Sequence, residues 1–586
     1  YYTQLRLAPL GKEEAEELLD ALLGTTVGAR HASPLQDLKH LILQKTEGTP
    51  FFLEEVVQEL SEQGILSREG VETRHVASLP AALHIPTTVQ GVLAARIDRL
   101  TAEEKALLQQ LAVIGREFSL RLIQQVISHP DEELYRLLSA LQRKEFLYEQ
   151  PAFPEVEYLF KHALTQEVTY GTVLQERRKA LHERTAQAIE ALYKQNPEDH
   201  YRALAYHYSR SGNTQKAVEY LGLAGRQALQ RSANAEAIVH LTTARELLKA
   251  WPDTPARAQQ ELLLLIPLGP ALMATKSPAV RELEQVYTRA QELCQQVGET
   301  PQLFPVLRGL YTFHLARGAF RTAHELGEQF LRLAQRIQDP LFLPEAYLAV
   351  GQTLFFLCGD FAAARHHFEQ GIVCYDPKQP HAQAFLYGVA TPEVFCLTEG
   401  AHTLWLLGYP DQARQRSQKA LTLARELAHP MSLAFALMHG AWVHIFRREE
   451  QAVQELAEAL IQLCTEQGFP NLLAHGTIEQ GWALAEQGEV EKGIAQIRQG
   501  LAALRALGVE IGRPTYLAWL AEAYQRGERF EEGLLTLDEA LEVVRNNEER
   551  WYEAELYRLK GELTLQSEVR GPKSEVRSPK SLTPDP

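Results

Sequence analysis

A small residue five positions after a glycine recurs along this chain, inside almost uninterrupted amphipathic helix. No other feature constrains the fold as tightly. Gly212 is followed by Ala217, Gly318 by Ala323, Gly359 by Ala364, Gly408 by Ala413 and Gly488 by Gly493. Arg447 with Ala452 keeps the spacing without a glycine, and Gly527 breaks it by one, with Gly533 six residues on. Successive anchors lie 41 (318 to 359), 49 (359 to 408), 80 (408 to 488) and 39 (488 to 527) residues apart. A glycine ends one helix in a backbone conformation that other residues adopt at a cost, and the small residue lets the next helix lie close. Repetition at such a period means stacked helical hairpins, each covering its apolar face against its neighbours. Residues 196–565 are therefore expected to form an α-solenoid, within a chain that is mainly α.

The units are longer than the roughly 34 residues of a tetratricopeptide repeat, so they resemble degenerate tetratricopeptide repeats with extended helices. A HEAT-like spacing of about 40 is the competing description. Tyr206, Tyr208, Phe355, Phe356, Trp405, Trp442, Trp482 and Trp519 fall in first helices of repeats. They read as inter-helix packing, with some available to line a concave groove. His366 and His367, beside Arg365, are adjacent on a helix and so point about 100° apart, which reads as a solvated face rather than a metal face.

The first 195 residues follow another plan. Residues 2–7 alternate weakly, like a last strand leaving a sheet. Helices are expected from Gly11 to Gly24, over 35–45, and over 52–63. Residues 1–84 thus read as the end of a core sheet plus a small helical lid. From residue 85 the pattern becomes helices over 89–100, 101–114, 119–127 and 131–142, the second opened by a Thr101/Glu104 capping box. Two strands at 145–149 and 156–160 follow, and helices before a hairpin make a winged helix, assigned to 85–195. Residues 566–586 repeat the polar Ser-Glu-Val-Arg motif and offer no core-forming face, so they are expected to be disordered.

Composition removes several function classes. A net charge of −16 disfavours nonspecific nucleic-acid binding and anionic membranes. The longest uncharged apolar run, 262–274, contains Pro267 and Pro270 and falls short of the roughly 20 residues a bilayer span needs. The five cysteines are odd in number and lack metal spacing, and they read as buried free thiols in a reducing cytoplasm. No Ser-His-Asp, H-E-x-x-H or paired-carboxylate pattern is present, and no G-x-x-x-x-G-K-[ST] loop exists to cradle a triphosphate.

Two short motifs carry the chemistry that remains. In Gly48-Thr49-Pro50, glycine permits close backbone approach and a proline ring can pack on adenine; the plain alternative is a turn before a helix. His162, after the second wing strand, can donate to a nucleotide phosphate from a helix start; the plain alternative is a capping histidine. Residues 47–57, the winged-helix pattern and 160–182 with Arg177, Arg178, Leu181 and His182, followed by the repeats, together resemble bacterial signal-transduction ATPases with numerous domains. The likeness is to members that carry a class III adenylate/guanylate cyclase domain.

That resemblance implies a nucleotide-controlled switch in which ADP holds lid and winged helix against an ATPase core. An inducer, protein or small molecule, would act on the repeats and favour an open, often oligomeric ATP state. Gly48, Pro50 and His162 match the family's nucleotide-side residues. ATP or ADP would bind only in a longer parent protein containing the core, and this segment itself is expected to be neither ATPase nor cyclase, with no metal site. Charge, free cysteines and the lack of a spanning run together give the expectation of a cytoplasmic protein without nucleic-acid or membrane partners. The alternatives are the sensor region of a large ATP-dependent transcription activator, a pure repeat scaffold, or a segment following a protein kinase domain.

Overall fold

The computed structural model describes residues 10–23, 33–63, 86–151, 155–298, 301–337, 342–375 and 391–570. The strand expected at 2–7 and most of the expected tail lie outside them. The chain divides into two compact units, residues 1–217 and 218–586.

The first unit opens with α1 (Lys12–Leu22), α2 (Ser33–Thr46) and α3 (Pro50–Glu62). Their apolar stripes meet in a core of Ala15, Leu19, Leu38, Ile42, Leu53, Val56 and Leu60. Next come α4 (Val89–Asp98) and α5 (Ala102–Ile114). The Thr101 hydroxyl accepts from the Glu104 N–H while Glu104 accepts from the Thr101 N–H, so the expected box is formed. Then β1 (Glu117–Ser119), α6 (Leu120–Val126), α7 (Asp131–Arg143), β2 (Leu147–Gln150) and β3 (Glu157–Phe160) complete a second layer. The sheet is antiparallel, ordered β1-β3-β2, with Phe118 opposite Tyr158 and Leu147 opposite Phe160. β1 was not foreseen: three residues are too few to display an alternation. α8 (Ala163–Gly171), α9 (Gln175–Leu192) and α10 (Tyr201–Ser211) follow, and Gly212 ends α10 at φ 91°.

The second unit is built of helices among its described residues. Along 392–570 they run α19 (Pro392–Leu406), α20 (Pro410–Glu426), α21 (Pro430–Phe446), α22 (Glu450–Gln467), α23 (Pro470–Glu486), α24 (Val490–Ala506), α25 (Arg513–Arg526), α26 (Phe530–Asn547) and α27 (Glu553–Arg570). α27 thus continues past Leu565 into the segment expected to be disordered. The turns within hairpins place Gly408, Arg448, Gly488 and Glu528 at positive φ, forty residues apart. The turns between hairpins place Ala428, Gly468, Gly508 and Glu548 there, also forty apart and offset by twenty.

This corrects the sequence register at two anchors. Arg448 at φ 59°, not Arg447, is the left-handed residue, and buried Val453 rather than Ala452 lies five beyond it. Two hairpins on, Glu528, not Gly527, is left-handed, so Gly533 sits at the usual five. The glycine is therefore preferred at these turns and not obligatory. The residue five on matters for packing: a Cβ on Gly493 would lie 2.5 Å from the Gly481 carbonyl oxygen, so α23 and α24 touch through backbone.

Earlier in the chain α11 (Thr214–Gln230) runs across the division between the units, and then come α12 (Asn234–Leu248), α13 (Pro255–Thr275), α14 (Arg281–Val297), α15 (Leu303–Ala316), α16 (Phe320–Ile337), α17 (Leu343–Thr353) and α18 (Phe361–Cys374). α13 runs through Pro267 and Pro270 without a break, with residues 264–274 buried. No helix among the described residues is long and apolar enough to cross a membrane. Cys294, Cys396 and Cys464 are buried as expected, whereas Cys358 is exposed and Cys374 partly so.

The array also curls back on itself. Ser277 Oγ donates to the Leu507 carbonyl at 3.0 Å, the Glu510 N–H to the Ala316 carbonyl at 2.8 Å, and the Arg550 N–H to the Phe356 carbonyl at 2.9 Å. Arg321 Nη2 pairs with Glu548 at 2.7 Å. An open solenoid contacts only adjacent repeats. Here turn tips near 510 and 550 close the array onto helices more than 190 residues earlier.

Candidate functional site

Two places in the chain concentrate chemistry. In the first unit, Gly48 sits at φ 73°, and a Cβ there would lie 2.6 Å from the Leu10 carbonyl oxygen. The Leu10 N–H donates to the Gly48 carbonyl at 2.9 Å, which clamps the turn. Thr49 is the N-cap of α3 and Pro50 its first residue, where a missing N–H costs nothing. One residue on, Phe51 stacks on His162 with ring centroids 3.8 Å apart and planes inclined by 17°.

His162 is itself the N-cap of α8, its Nδ1 accepting the Leu164 N–H at 3.1 Å. That hydrogen bond leaves Nε2 as the ring's other polar atom. Burial, assisted by the Arg116 charge, lowers its pKa. Lys161 alongside holds Glu145 at 2.8 Å and approaches Glu54 at 3.7 Å. The fold therefore brings the Gly48–Pro50 turn and His162 together through Phe51, which lies within 47–57 but carries no chemical signal of its own in the sequence.

Below this contact, Arg96 of α4 is 1% exposed. It binds Glu62 through Nη2 at 2.7 Å and Nε at 3.1 Å, pairs with Glu55 through Nη1, and donates to the Lys144 carbonyl at 2.7 Å. Its guanidinium lies 4.7 Å from the Phe146 ring centre. Burial works against its charge, but Glu62 and Glu55 outweigh that and raise its pKa. Arg99 adds a pair to Glu59 at 2.6 Å. Both arginines tie α3 to α4, and Arg96 ties them to the end of α7.

His182 and His207 are buried farther along the same unit. The Tyr170 hydroxyl lies 3.0 Å from His182 Nε2, and His182 Nδ1 lies 2.9 Å from His207 Nδ1. Only one of two facing nitrogens can carry the proton between them, so the pair suits neutral rings. Burial, with Arg210 and Arg178 near His182 and with His182 and Arg210 near His207, lowers the two to about 4 and about 3. A base whose folded pKa is depressed takes up protons more readily when unfolded, so its stabilisation is present above about 6.5 and lost as pH falls. We expect these two rings to remain neutral down to about pH 5 and the unit to lose stability progressively as pH falls from about 6.5 to their folded values of about 4 and about 3. Carbon-13 titration of selectively labelled histidines reads this directly; midpoints near 6.5 for both rings would exclude it.

The second place is a cavity of about 160 Å³ inside the closed array. All three methionines of the chain, Met273, Met431 and Met438, line it, together with Phe395, Phe435 and Trp442. A polar ladder crosses this apolar wall along α15, α17, α19 and α21. Arg308 Nε donates to Glu345 at 2.7 Å, the Tyr311 hydroxyl to Gln352 at 2.9 Å, and Gln352 Nε2 to Glu399 Oε1 at 3.2 Å. His439 Nε2 lies 3.7 Å from Glu399, and His402 Nε2 lies 3.0 Å from the His439 carbonyl.

Among the described residues, Arg308 Nη1, Glu399 Oε2 and His439 Nδ1 have no hydrogen-bond partner. Burial pushes Glu399 up to about 7, holds His402 down to about 4 and keeps His439 well below the usual histidine range. Donor atoms of Glu399, His402 and His439 lie within 4.8 Å of one another, so these three could hold a metal ion. Sequence reading missed this set: Glu399 and His402 share a helix face at i,i+3, but His439 joins them only through repeat stacking. Trp442 and Phe356 prove to line the cavity, whereas Trp482, Trp519 and Tyr208 are buried between helices.

No family model matches the chain. An uncharacterized protein of Rhizobium meliloti (strain 1021) is 25% identical over 579 residues, covering 97% of this chain; the chain spans 54% of that protein's length. Among solved structures, a Signal Transduction ATPase with Numerous Domains protein with a tetratricopeptide repeat sensor from Pyrococcus horikoshii is similar. It is 13% identical, covers 95% of this chain and 75% of its own, and gives a TM-score of 0.45. A Rap protein complexed with Competence and Sporulation Factor is 12% identical, covers 60% of this chain and 99% of its own, and gives 0.40.

Proposed function

We propose that this chain is the sensing and regulatory part of a nucleotide-switched signalling ATPase. Its helical repeats bind an inducer, and its first unit reports the nucleotide bound by an ATPase core elsewhere in the parent protein. The observation that carries this reading is the convergence of the Gly48–Pro50 turn with His162. The two lie more than a hundred residues apart in sequence, yet Phe51 from the first stacks on the second. In this reading Pro50 packs on adenine and His162 donates from Nε2 to a phosphate, its Nδ1 being fixed as an acceptor by the Leu164 N–H. A cyclase is the effector domain favoured by the likeness of residues 47–57 and 160–182 to cyclase-linked members.

The test compares fluorescent ADP binding by this chain with binding by the longer parent polypeptide. Millimolar or weaker affinity for the chain alone is expected, with at least tenfold tighter binding by the parent. His162→Ala should remove most of that gain, and His162→Asn, which preserves capping, should remove it too. A parent protein that binds ADP equally well with either substitution would refute the assignment of His162.

A further inference from the structure

A buried carboxylate is ordinarily matched by a cation or by a metal ion. Glu345 is matched by Arg308 at 2.7 Å. Glu399 of α19 is not: among the described residues no lysine or arginine pairs with it, Gln352 donates to Oε1, and Oε2 has no partner. Two imidazoles stand beside it instead. His402 lies one turn along α19, and His439 comes from α21, the first helix of the next hairpin. All three residues are less than a tenth exposed.

The three offer one donor atom each, all within 4.8 Å of one another, and they are the one such group among the described residues. His439 Nε2 already stands 3.7 Å from the Glu399 carboxylate. Tetrahedral zinc, with bonds of about 2.1 Å, sets its donors about 3.4 Å apart, so binding draws these atoms inward by no more than about 1.4 Å. His402 Nε2 donates to the His439 carbonyl at 3.0 Å, which fixes the tautomer and leaves Nδ1 its lone pair. A carbonyl bond of this kind commonly orients a metal-bound imidazole. The Trp442 ring, stacked on His402 at 5.3 Å, fixes the plane of that imidazole. Burial keeps both histidines neutral near neutral pH, the state that ligates. The ion sits between the donors themselves, so the site needs no opening onto the neighbouring cavity.

We infer that Glu399, His402 and His439 bind one divalent transition-metal ion, which fastens α19 to α21. Two imidazoles with one carboxylate suit zinc and disfavour magnesium and calcium, which prefer oxygen donors throughout. The fourth position falls to water or to the second Glu399 oxygen. The inference is independent of the signalling reading: it concerns how two hairpins are joined, and it stands whether or not the repeats bind an inducer.

The test is element analysis of the full chain, produced in zinc-supplemented medium and desalted. A second preparation from zinc-depleted medium is melted in the presence of zinc, magnesium or calcium chloride. About one zinc per chain should be retained from the first. Zinc alone should raise the melting temperature of the second saturably by several degrees, since an ion bound only by the folded state stabilises it. Glu399→Gln keeps the side chain's shape and removes the anionic donor; it and His439→Gln should each weaken zinc at least about tenfold. Exposed His366 replaced by alanine should change nothing. X-ray absorption of the zinc-loaded, unsubstituted chain should show two imidazoles, a reading that requires no variant to fold.

Zinc retained undiminished by both substitutions would overturn the inference by placing the ion elsewhere on the chain. A folded chain that retains no zinc from either medium would overturn it too, leaving Glu399 as a protonated acid in an apolar wall. Equal responses to magnesium and zinc, or an absorption spectrum without imidazole, would refute the ligand set.

Discussion

Replacing Arg96 with alanine is expected to be among the most damaging single changes to the first unit. Removing one member of a buried ion pair costs about 3–5 kcal/mol, because the remaining charge keeps its desolvation penalty without its partner. Glu55 is 2% exposed and would be left in that state, and Glu62 and the Lys144 carbonyl would each lose a donor. Loss of the guanidinium over Phe146 removes packing as well as charge. Hydrogen exchange in α3 and α4 of the full chain should accelerate by two orders of magnitude or more, with the second unit unchanged. The double change Arg96→Met with Glu55→Leu should recover much of the loss, because a well-packed apolar replacement for a buried pair is often neutral. A single alanine variant with exchange within a factor of five of the parent would show that the cluster does not hold these helices.

Trp442→Ala should have a comparable effect on the second unit, by another route. The ring stacks on Trp551 at 5.8 Å and 13° and on His402 at 5.3 Å and 13°, and meets Trp519 edge-on at 5.4 Å. Its Nε1 donates to Glu479 at 3.0 Å, and that carboxylate is buried with its second oxygen unpartnered among the described residues. Truncating a buried tryptophan costs about 3–5 kcal/mol. Trp442→Phe separates the terms: it keeps most of the ring contact and forfeits the hydrogen bond, so about 1–3 kcal/mol is expected. Guanidinium unfolding followed by the fluorescence of Trp482 and Trp519 measures both. Equal losses for alanine and phenylalanine would mean that the Glu479 bond, rather than the aromatic cluster, holds the closure.

Local signals explain most of what the sequence made legible. The capping box at Thr101 and the left-handed glycines at 212, 318, 359, 408 and 488 are decided within four or five residues and lie where expected, whereas α3 begins two residues earlier than expected, at Pro50. The anchor at 448 was misplaced by one because Arg447-Arg448 offers no chemical difference to choose between. Glu528 was missed because Gly527, the obvious candidate for positive φ, stands directly before it. The roles of Phe51, the His182–His207 pair and the Arg308-to-His439 ladder depend on contacts between segments 25 to more than 100 residues apart. Periodicity gives no information about which turns of a superhelix face one another. The cavity was therefore invisible until the array was seen to close.

Closure has an evolutionary consequence for the forty-residue register. Open helical arrays lengthen and shorten by tandem duplication, since an added copy finds the same neighbours as the one before it. In this chain an extra copy spliced between 428 and 508 would carry the 510 and 550 tips past Ala316 and Phe356, abolishing the bonds made there. Copy number in this protein is thus fixed by geometry, and its lineage is expected to diverge by point change within repeats rather than by gain or loss of them.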